Sequence, residues 1–316
     1  MILTRRHVLA GALAAPVVLS GASRAGAAAP VRFSYQRSST LLTLLREDRV
    51  LERRLAPLGL EVNWKQFTSV LQPMNAGSVE FHADVADAVP IFTQAAGAKL
   101  TFYATEAPSP SAEAIIVHAD SPIRSVRDLK GKRVGVSRGS GCHFILAAAL
   151  ARDGLSFTDI TPAYLEAPDG AAAFKGRSID AWVIWDPFLS ITEHQHPVRT
   201  IADATGLSGY SRYYTVNASF ADERPDVVKI VFEALAEQGR WVKANPEAAA
   251  KKLAPIWGDV PPEVVRAVNQ RRSYQVLPVR RDRLGDQQRI ADVFLAAGLI
   301  PQKIDATSVP IWSPPS

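Results

Sequence analysis

The segment SRGSGCH at positions 137–143 is the first candidate for chemistry, because it joins a predicted strand (133–136) to a predicted helix (140–153). Free backbone N–H groups at a helix N-terminus, helped by the helix dipole, bind anions. Glycines let a ligand approach the backbone, and the Ser140 hydroxyl can cap the helix or contact a ligand. The Gly-Lys-Ser/Thr of a P-loop is missing. The segment therefore indicates either an anion site or a capped helix after a flexible turn.

Cys142 and His143 stand next to each other in this segment and suggest a nucleophile with its base. Adjacent residues on a helix point about 100° apart, so a thiolate–imidazolium pair is awkward there. This geometry argues against catalysis. It leaves His143 either lining a pocket or packing in the core.

The segment DAWVIWDPF at 180–188 places aromatic, acidic and proline residues at the carboxyl end of a buried strand. In open α/β sheets that end faces the ligand crevice. Trp185 is predicted to cover the apolar tail of a ligand, and Asp186 to cap a helix that begins at Pro187. Trp182 is assigned to the core.

Asp84 and Asp87 follow another predicted strand, at 79–85. Two such carboxylates can act as general acid and base. Asp87 is also well placed to cap the helix predicted at 88–96, and the cap is the favoured interpretation. The histidines lack the H-E-x-x-H spacing of zinc sites, so the sequence predicts no metal and no cofactor.

The first 27 residues have the pattern of a cleaved export signal. Arg5 and Arg6 precede an apolar stretch that is shorter than the ~20 residues of a membrane span, and AGA at 25–27 suits signal peptidase. Paired arginines favour the twin-arginine route, although ordinary secretory signals also contain them. Cleavage removes three arginines and no acid, lowering the formal charge from +5 to +2, too weakly basic for nucleic-acid binding. We expect a periplasmic protein with no direct membrane anchor. The single Cys142 excludes an intrachain disulfide.

Short apolar strands alternate with longer amphipathic helices after the signal, which predicts an α/β fold with parallel sheets. The alternation restarts after residue 122, and two lobes joined by a two-strand hinge would close on a ligand. We place the crossings near 112–118 and 211–217. The predicted domains are lobe I (28–113 and 217–316, including helices over 227–297) and lobe II (114–216). A helix is predicted at 40–58.

A collinear set of short motifs resembles the aliphatic-sulfonate-binding proteins of ABC importers, a branch of the wider taurine, nitrate and thiamine-precursor binding proteins. The motifs span nearly the whole mature chain and are SYQR at 34–37, NAGSVEF at 75–81, DAVPIFTQAAGA at 87–98, DSPI at 120–123, DLKGKRV at 128–134, GS at 139–140, AWVIWDP at 181–187, RR at 271–272 and GLIP at 298–301. The resemblance implies a type II periplasmic-binding-protein fold with a ligand between two lobes. It also implies a membrane permease as partner, and we expect a monomer.

By the family pattern, pocket-lining positions fall on Gln36, Asp87, Ser140, His143, Trp185, Asp186 and Tyr214. The resemblance implies that a sulfonate head takes donors from Ser140, Gly141 N–H and Gln36, with charge from Arg37 or Arg272, and that Trp185 and Tyr214 hold the alkyl tail.

The substrate class stays open at this point. Thr68-Ser69-Val70 replaces a longer Gly-Pro loop of the family, and Gly141-Cys142 replaces small polar residues. Taurine, nitrate or a thiamine pyrimidine precursor are the alternatives for the same fold. An enzyme like the thiamine pyrimidine synthases would need a cysteine-rich iron-binding motif, which one cysteine cannot supply, so we expect binding without catalysis.

Overall fold

The computed structural model describes residues 29–36, 38–67 and 69–314. The predicted export signal, residues 1–27, lies outside the described residues, and so does Arg37.

Strands occur throughout the described chain and fall into two sheets. In chain order they are β1 (Val31–Tyr35), β2 (Val62–Gln66), β3 (Val85–Ala86), β4 (Leu100–Glu106), β5 (Glu113–His118), β6 (Arg133–Val136), β7 (Thr161–Tyr164), β8 (Ala181–Trp185), β9 (Val198–Asp203), β10 (Arg212–Asn217) and β11 (Val276–Leu277). The central strands β5 and β8 carry continuous apolar runs because both of their faces are buried.

Helices cover the faces of these sheets. They are α1 (Thr40–Glu47), α2 (Val50–Leu55), α3 (Leu71–Ala76), α4 (Val89–Ala95), α5 (Gly141–Arg152), α6 (Ala167–Lys175), α7 (Phe188–Gln195), α8 (Ala218–Glu223), α9 (Pro225–Ala244), α10 (Pro246–Ile256), α11 (Pro262–Arg271) and α12 (Gly285–Ala296). Helix α9 illustrates why these segments are helical and pack against the sheets. It begins at Pro225, and Val227, Val231 and Leu235 recur at helical spacing on its buried face.

The first sheet has the order β11-β4-β10-β3, with antiparallel pairing throughout. The parallel pair β1-β2 joins it through Phe81, which bridges Phe33 and Val216. The second sheet has the order β7-β6-β8-β5-β9 and is parallel only over β7, β6 and β8. The predicted parallel sheets are therefore wrong in part. No α-helix connects β5 or β10 to the strand that precedes it. The alternation of strands and helices in the sequence therefore did not predict the direction of these two strands.

Two predicted elements are interrupted. The helix expected at 40–58 breaks at Arg49, whose φ of 49° is left-handed, and resumes as α2. The strand expected at 79–85 is reduced to the Phe81 bridges and β3. Between them, the Ala83 N–H donates to the Ser34 hydroxyl at 2.9 Å instead of to a strand backbone.

The chain passes from the first sheet to the second between β4 and β5, and returns between β9 and β10. Strand β10 was predicted within lobe II, yet it pairs with β3 and β4 of the first sheet. Helices α9 and α10 pack with α1 beside the first sheet, as expected of the C-terminal helices. Helix α12 differs, because it packs against both α4 and α5.

Two buried ion pairs lie beside the strands of the first sheet at the point where the chain passes between sheets. Arg212 Nη2 is 2.6 Å from Asp84 Oδ2, and Arg272 Nη2 is 2.7 Å from Glu106 Oε2. The Tyr214 hydroxyl donates to the other Glu106 oxygen at 2.7 Å. All of these side chains are almost fully buried. Each charge therefore depends on its partner for the solvation that water would otherwise provide.

Removing one member of a buried pair should be costly. We predict that Arg272→Leu lowers the free energy of unfolding by about 3–5 kcal/mol, because Glu106 is left charged and unpaired in the interior. Urea unfolding followed by circular dichroism measures the change. Arg280→Ala is the matched control, since its pair with Asp282 is exposed and its loss should leave the midpoint unchanged. Equal midpoints for the two variants would contradict the prediction.

Candidate ligand cavity

A cavity lies between the two sheets and takes its walls from both. Its volume is about 530 Å³ with the open mouth included. The ends of β1, β6, β7 and β8 converge on it, as expected for the carboxyl ends of strands at an α/β ligand crevice. The lining side chains that carry polar groups are Gln36, Ser69, Glu113, Ser137, Arg138, Ser140, Glu166, Trp185, Tyr210 and Arg212.

The loop after β6, at 137–140, is held in place by a side chain of α5, the helix that follows it. Gly139 has a φ of 72°, and a Cβ there would approach Leu71 Cδ1 at 3.1 Å, so the position requires glycine. Its N–H donates to His143 Nδ1 at 3.2 Å. Burial, with a smaller effect from Arg138, lowers the pKa of His143 to about 4, and the neutral ring can accept this hydrogen bond. His143 therefore positions the loop from inside the core.

Ser140 is the N-cap of α5. Its hydroxyl oxygen accepts from the His143 backbone N–H at 3.3 Å, and its proton goes to the Ser137 carbonyl at 2.7 Å. The capped-helix interpretation is thus confirmed. Because the hydroxyl is engaged within the loop, the donors left for a ligand are backbone N–H groups of the first helical turn, which begins at the cavity-lining Gly141.

Glu113, the first residue of β5, brings its carboxyl group to the same helix N-terminus. A Cβ on Gly141 would lie 2.6 Å from Glu113 Oε1 and 2.9 Å from Ala86 Cβ, so glycine alone fits. Neither Glu113 oxygen has a hydrogen-bond partner of normal geometry among the described residues. Burial, and to a smaller extent Asp87, raise the pKa of Glu113, the Cys142 thiol and Arg212 act in the opposite direction, and the net pKa is about 8. The group is therefore mostly protonated at neutral pH.

Arg212 is the buried cation of the cavity wall. Its Nε donates to Asp84 Oδ2 at 2.8 Å, its Nη2 to the Asp84 carbonyl at 2.8 Å, and its Nη1 to the Tyr210 hydroxyl at 3.1 Å. Burial opposes the charge, but Asp84 raises the pKa of Arg212 above its ordinary value. The guanidinium thus stays charged while its donors are held by neighbours.

A second compartment opens beside the first and shares Gln36, Glu166 and Trp185 with it. Its volume is about 640 Å³ with the mouth included. Its further lining residues are Ser38, Gln66, Phe67, Ala167, Pro168 and Phe188. The rings of Trp185 and Phe188 meet edge to face with centroids 5.9 Å apart. The two compartments therefore form one cleft: the end at α5, with the charged side chains of Glu113, Arg138 and Arg212, is called the polar end, and the end with the Phe67 and Phe188 rings is called the apolar end.

Four of the site residues expected from the sequence, Gln36, Ser140, Gly141 and Trp185, come together in this cavity. The other five lie outside its lining: Asp87, His143, Asp186, Tyr214 and Arg272. Tyr214 and Arg272 both bind Glu106 in the core. Ligand contact by any of the nine stays a prediction.

Asp186 and Asp87 have structural partners. The Asp186 carboxylate accepts from the N–H of Ser190 at 3.0 Å and from its hydroxyl at 2.7 Å, and so satisfies one N–H of the first turn of α7. The N-cap itself is Pro187, so the cap predicted at Asp186 is displaced by one residue. The cap predicted for Asp87 is wrong. Ala88 is the N-cap of α4, while Asp87 accepts from the Ser208 hydroxyl at 2.8 Å, because its side chain turns into the core. Burial raises the pKa of Asp87 to about 6.

Sequence reasoning missed three charged residues of the cavity, Glu113, Glu166 and Arg212. One signal was available in the sequence. Glu113 and Arg212 each stand at the end of an apolar strand, where a charged residue is rarely buried unless it has a partner or a function. No pattern in the sequence connects two residues so far apart. Arg272, chosen as a source of positive charge, is instead neutralised by Glu106.

Two further observations concern the described residues. Within 29–36, 38–67 and 69–314, no three His, Cys, Asp or Glu side chains cluster in a way that could hold a metal ion. None of the helices in the same part of the chain combines the length and apolar character needed to cross a bilayer.

The fold and the cleft together define a solute-binding protein of the type II periplasmic-binding-protein fold, with two α/β units around a ligand cavity. The NMT1/THI5-like family model matches residues 57–249. A protein of Escherichia coli (strain K12) named for aliphatic sulfonate binding is 33% identical over 314 residues, covering 98% of this chain and 97% of that protein. The chain belongs to the NMT1/THI5-like family, in the group of aliphatic-sulfonate-binding proteins.

Solved structures agree with this membership. The periplasmic aliphatic sulphonate binding protein SsuA from Escherichia coli superposes with a TM-score of 0.81 at 34% identity, covering 90% of this chain and 92% of that chain. The alkanesulfonate-binding protein SsuA from Xanthomonas axonopodis pv. citri, bound to MOPS, also gives a TM-score of 0.81, at 33% identity, covering 87% of this chain and 96% of that chain.

The contact between Gly141 and Glu113 should not tolerate a side chain. We predict that Gly141→Ala lowers the free energy of unfolding by about 1–3 kcal/mol, because the new Cβ meets Glu113 and Ala86 inside normal contact distance. Chemical unfolding provides the measurement. Gly285→Ala is the control, since it also replaces the first residue of a helix but meets nothing within 4 Å. If the two variants were equally stable, the tight contact would be refuted.

Proposed function

We propose that this protein is the periplasmic solute-binding component of an ABC importer and that it captures an alkanesulfonate or a related organosulfur anion in the cleft. The observation that carries the proposal is the division of the cleft. A helix N-terminus and the buried Arg212 stand at one end, and Trp185, Phe188 and Phe67 stand at the other. A small anion with an apolar tail has this same division.

The polar end suits a singly charged oxyanion. The first-turn N–H groups of α5 and the α5 dipole favour negative charge at Gly141. Arg212 adds a positive field although its own donors are occupied. The Gln36 side chain enters from the first-sheet side and can supply a neutral donor. Few donors here carry a full charge, which favours a weakly basic monoanion such as a sulfonate.

The apolar end suits an alkyl chain. Trp185 lines both compartments and so lies where head and tail of a ligand would meet. Phe67, Ala167, Pro168 and Phe188 continue the apolar surface away from the helix N-terminus. Nitrate has no tail to bury there, so the second compartment favours a sulfonate with a carbon chain. The sulfonate-binding names of the relatives support the same class.

Capture would occur by closure of two lobes. We assign residues 29–106 and 212–314 to one lobe and 113–203 to the other, following the strand pairing. A ligand that contacts both walls stabilises the closed form more than the open one. The closed protein would then deliver its cargo to a membrane permease. Residues 1–27 would direct export and be removed, leaving a monomer in the periplasm.

Binding without turnover agrees with the state of the potential nucleophile. Cys142 is buried, and burial together with Glu113 raises the pKa of its thiol well above the ordinary value. His143, its neighbour, uses Nδ1 to hold the Gly139 N–H. Neither group is therefore poised for covalent chemistry, and the proposed role requires none.

A ligand panel tests this function. We predict that linear alkanesulfonates raise the melting temperature of the mature protein in a concentration-dependent manner, because a ligand of the native state stabilises it by RT ln(1 + [L]/Kd). Taurine, sulfate, nitrate and pyrimidine thiamine precursors form the comparison set. The buffers must contain no sulfonate. A shift with nitrate or a pyrimidine alone would retain the fold and overturn the proposed substrate.

Trp185→Ala tests the position of the tail. Loss of the apolar cover should weaken alkanesulfonate binding by about 1–3 kcal/mol, roughly 5- to 150-fold in Kd, as measured by isothermal titration calorimetry. Trp312→Ala is the control, because Trp312 packs on Phe232 and lines neither compartment. Equal affinities for the two variants would place the ligand elsewhere.

A further inference from the structure

Glu113 is a buried acid at the place where the proposed anion binds. Its carboxyl group lies against Gly141, the first residue of α5, and the side chain lines the cavity. The residue is 1% exposed, and within the described part of the chain no N–H or O–H group donates to either oxygen, while the weakly donating Cys142 thiol lies in hydrogen-bonding contact with the carboxyl group. A helix N-terminus therefore meets a buried carboxyl group that receives no N–H or O–H hydrogen bond.

The neighbouring charges do not neutralise this carboxyl group. Arg212 directs its donors to Asp84 and Tyr210, and Arg272 is paired with Glu106. Each of the two buried arginines is thus matched by an acid other than Glu113.

The remaining groups around Glu113 come from several elements. Asp87, which accepts from Ser208, adds negative charge from the segment before α4, and the Cys142 thiol approaches from α5. Arg138 and Glu166 carry charges on the cavity wall, on the loops after β6 and β7. Arg138 lies over the Tyr164 ring at 4.8 Å, and Glu166 accepts from the Ser137 hydroxyl at 3.5 Å.

Hydrogen bonding adds a second constraint. A sulfonate carries no proton over the accessible pH range, so its oxygens only accept hydrogen bonds. An ionised carboxylate also only accepts. The two groups cannot occupy adjacent positions at a buried helix N-terminus unless one proton lies between them, because an unpaired like-charge contact in the interior is strongly unfavourable.

We propose that Glu113 binds the ligand as the neutral carboxylic acid and donates its O–H to the anionic head, so that the complex holds one proton on Glu113. This inference rests on the proposed capture of a sulfonate. It adds Glu113 as the residue that determines which headgroup charge the site accepts. The proton stays on the Glu113 oxygen and is shared in a hydrogen bond, and no covalent bond changes. A headgroup that itself carries a donor proton or a positive charge at this position would instead bind Glu113 as the ionised carboxylate.

The sign of the pH dependence follows from this assignment. The pKa of Glu113 is about 8 without ligand, so below that pH the donor is already present. Binding to the protonated form raises this pKa further. Affinity for an alkanesulfonate should therefore be level at lower pH and fall by up to tenfold for each pH unit above about 8.

Calorimetric titration of the mature protein with ethanesulfonate, from about pH 6 to 9.5, tests the inference. We expect the loss of affinity just described. At about pH 8.5, titration in two non-sulfonate buffers of different ionisation enthalpy should show uptake of a large fraction of one proton per ligand bound. The proton count uses the unmodified protein, so it does not depend on whether any variant folds.

Glu113→Gln keeps the shape of the side chain and one neutral donor. We expect it to bind ethanesulfonate with nearly the affinity of the unmodified protein at about pH 6.5 and with no fall towards pH 9.5. Glu247→Gln is the matched control, since Glu247 is an exposed acid of α10 that lines neither compartment of the cleft. This control should retain the pH dependence of the unmodified protein.

The outcomes separate this inference from the proposed function. If ethanesulfonate and longer alkanesulfonates fail to bind the unmodified protein at every pH, the proposed function is overturned, and the inference with it. If they bind with affinity that is level or rising above pH 8, or without proton uptake, the inference alone is wrong. Loss of binding by a folded Glu113→Gln at every pH, with taurine preferred over ethanesulfonate by the unmodified protein, would show that Glu113 is an ionised partner for an ammonium group.

Discussion

The structure depends on how charge is compensated where the chain passes between its two sheets. Asp84 and Glu106 belong to the first sheet or its edge, and Arg212 and Arg272 neutralise them at 2.6 and 2.7 Å. Buried ions require such partners because the interior provides little solvation of its own. These pairs connect segments that are far apart in sequence, including β10, β4 and the residue after α11. The passage between the sheets is therefore fixed by ion pairs as well as by apolar packing.

The pairing of these buried charges also determines the electrostatic properties of the cavity. Because both buried arginines are paired with other acids, Glu113 has no ionic partner to oppose the effect of burial, and its pKa is raised to about 8. A neutral acid can lie at the N-terminus of α5, where Gly141 leaves room for it. Arg212 contributes positive potential to the cavity while its donors remain with Asp84 and Tyr210. The proposed anion-binding end therefore combines helix amides, a remote cation and a carboxyl group whose pKa is raised.

Patterns in the sequence predicted those features of the structure that depend only on neighbouring residues. The strand β6 matches the predicted residues 133–136, and Ser140 caps α5 as the glycine turn before the predicted helix indicated. Strand direction was not predictable in this way, since β5 and β10 lack helical crossovers. The role of Arg272 depends on Glu106, which is 166 positions away. Gln36 and Trp185 lie together in the cavity, and that proximity was expected from the family resemblance rather than from spacing.

The loop after β6, at 137–140, is held by contacts with the core. Phe294 of α12 packs on Phe92 of α4 and on Phe144 of α5, with ring centroids 4.7 and 5.8 Å apart. The His143 ring lies in the same cluster, 6.1 Å from Phe294, and its Nδ1 holds the Gly139 N–H. Because α12 follows the return of the chain to the first sheet, residues on both sides of the passage determine the loop. Donors that are fixed before binding lose little conformational entropy on capture, so in the proposed site the apolar cluster would contribute to affinity without touching the ligand.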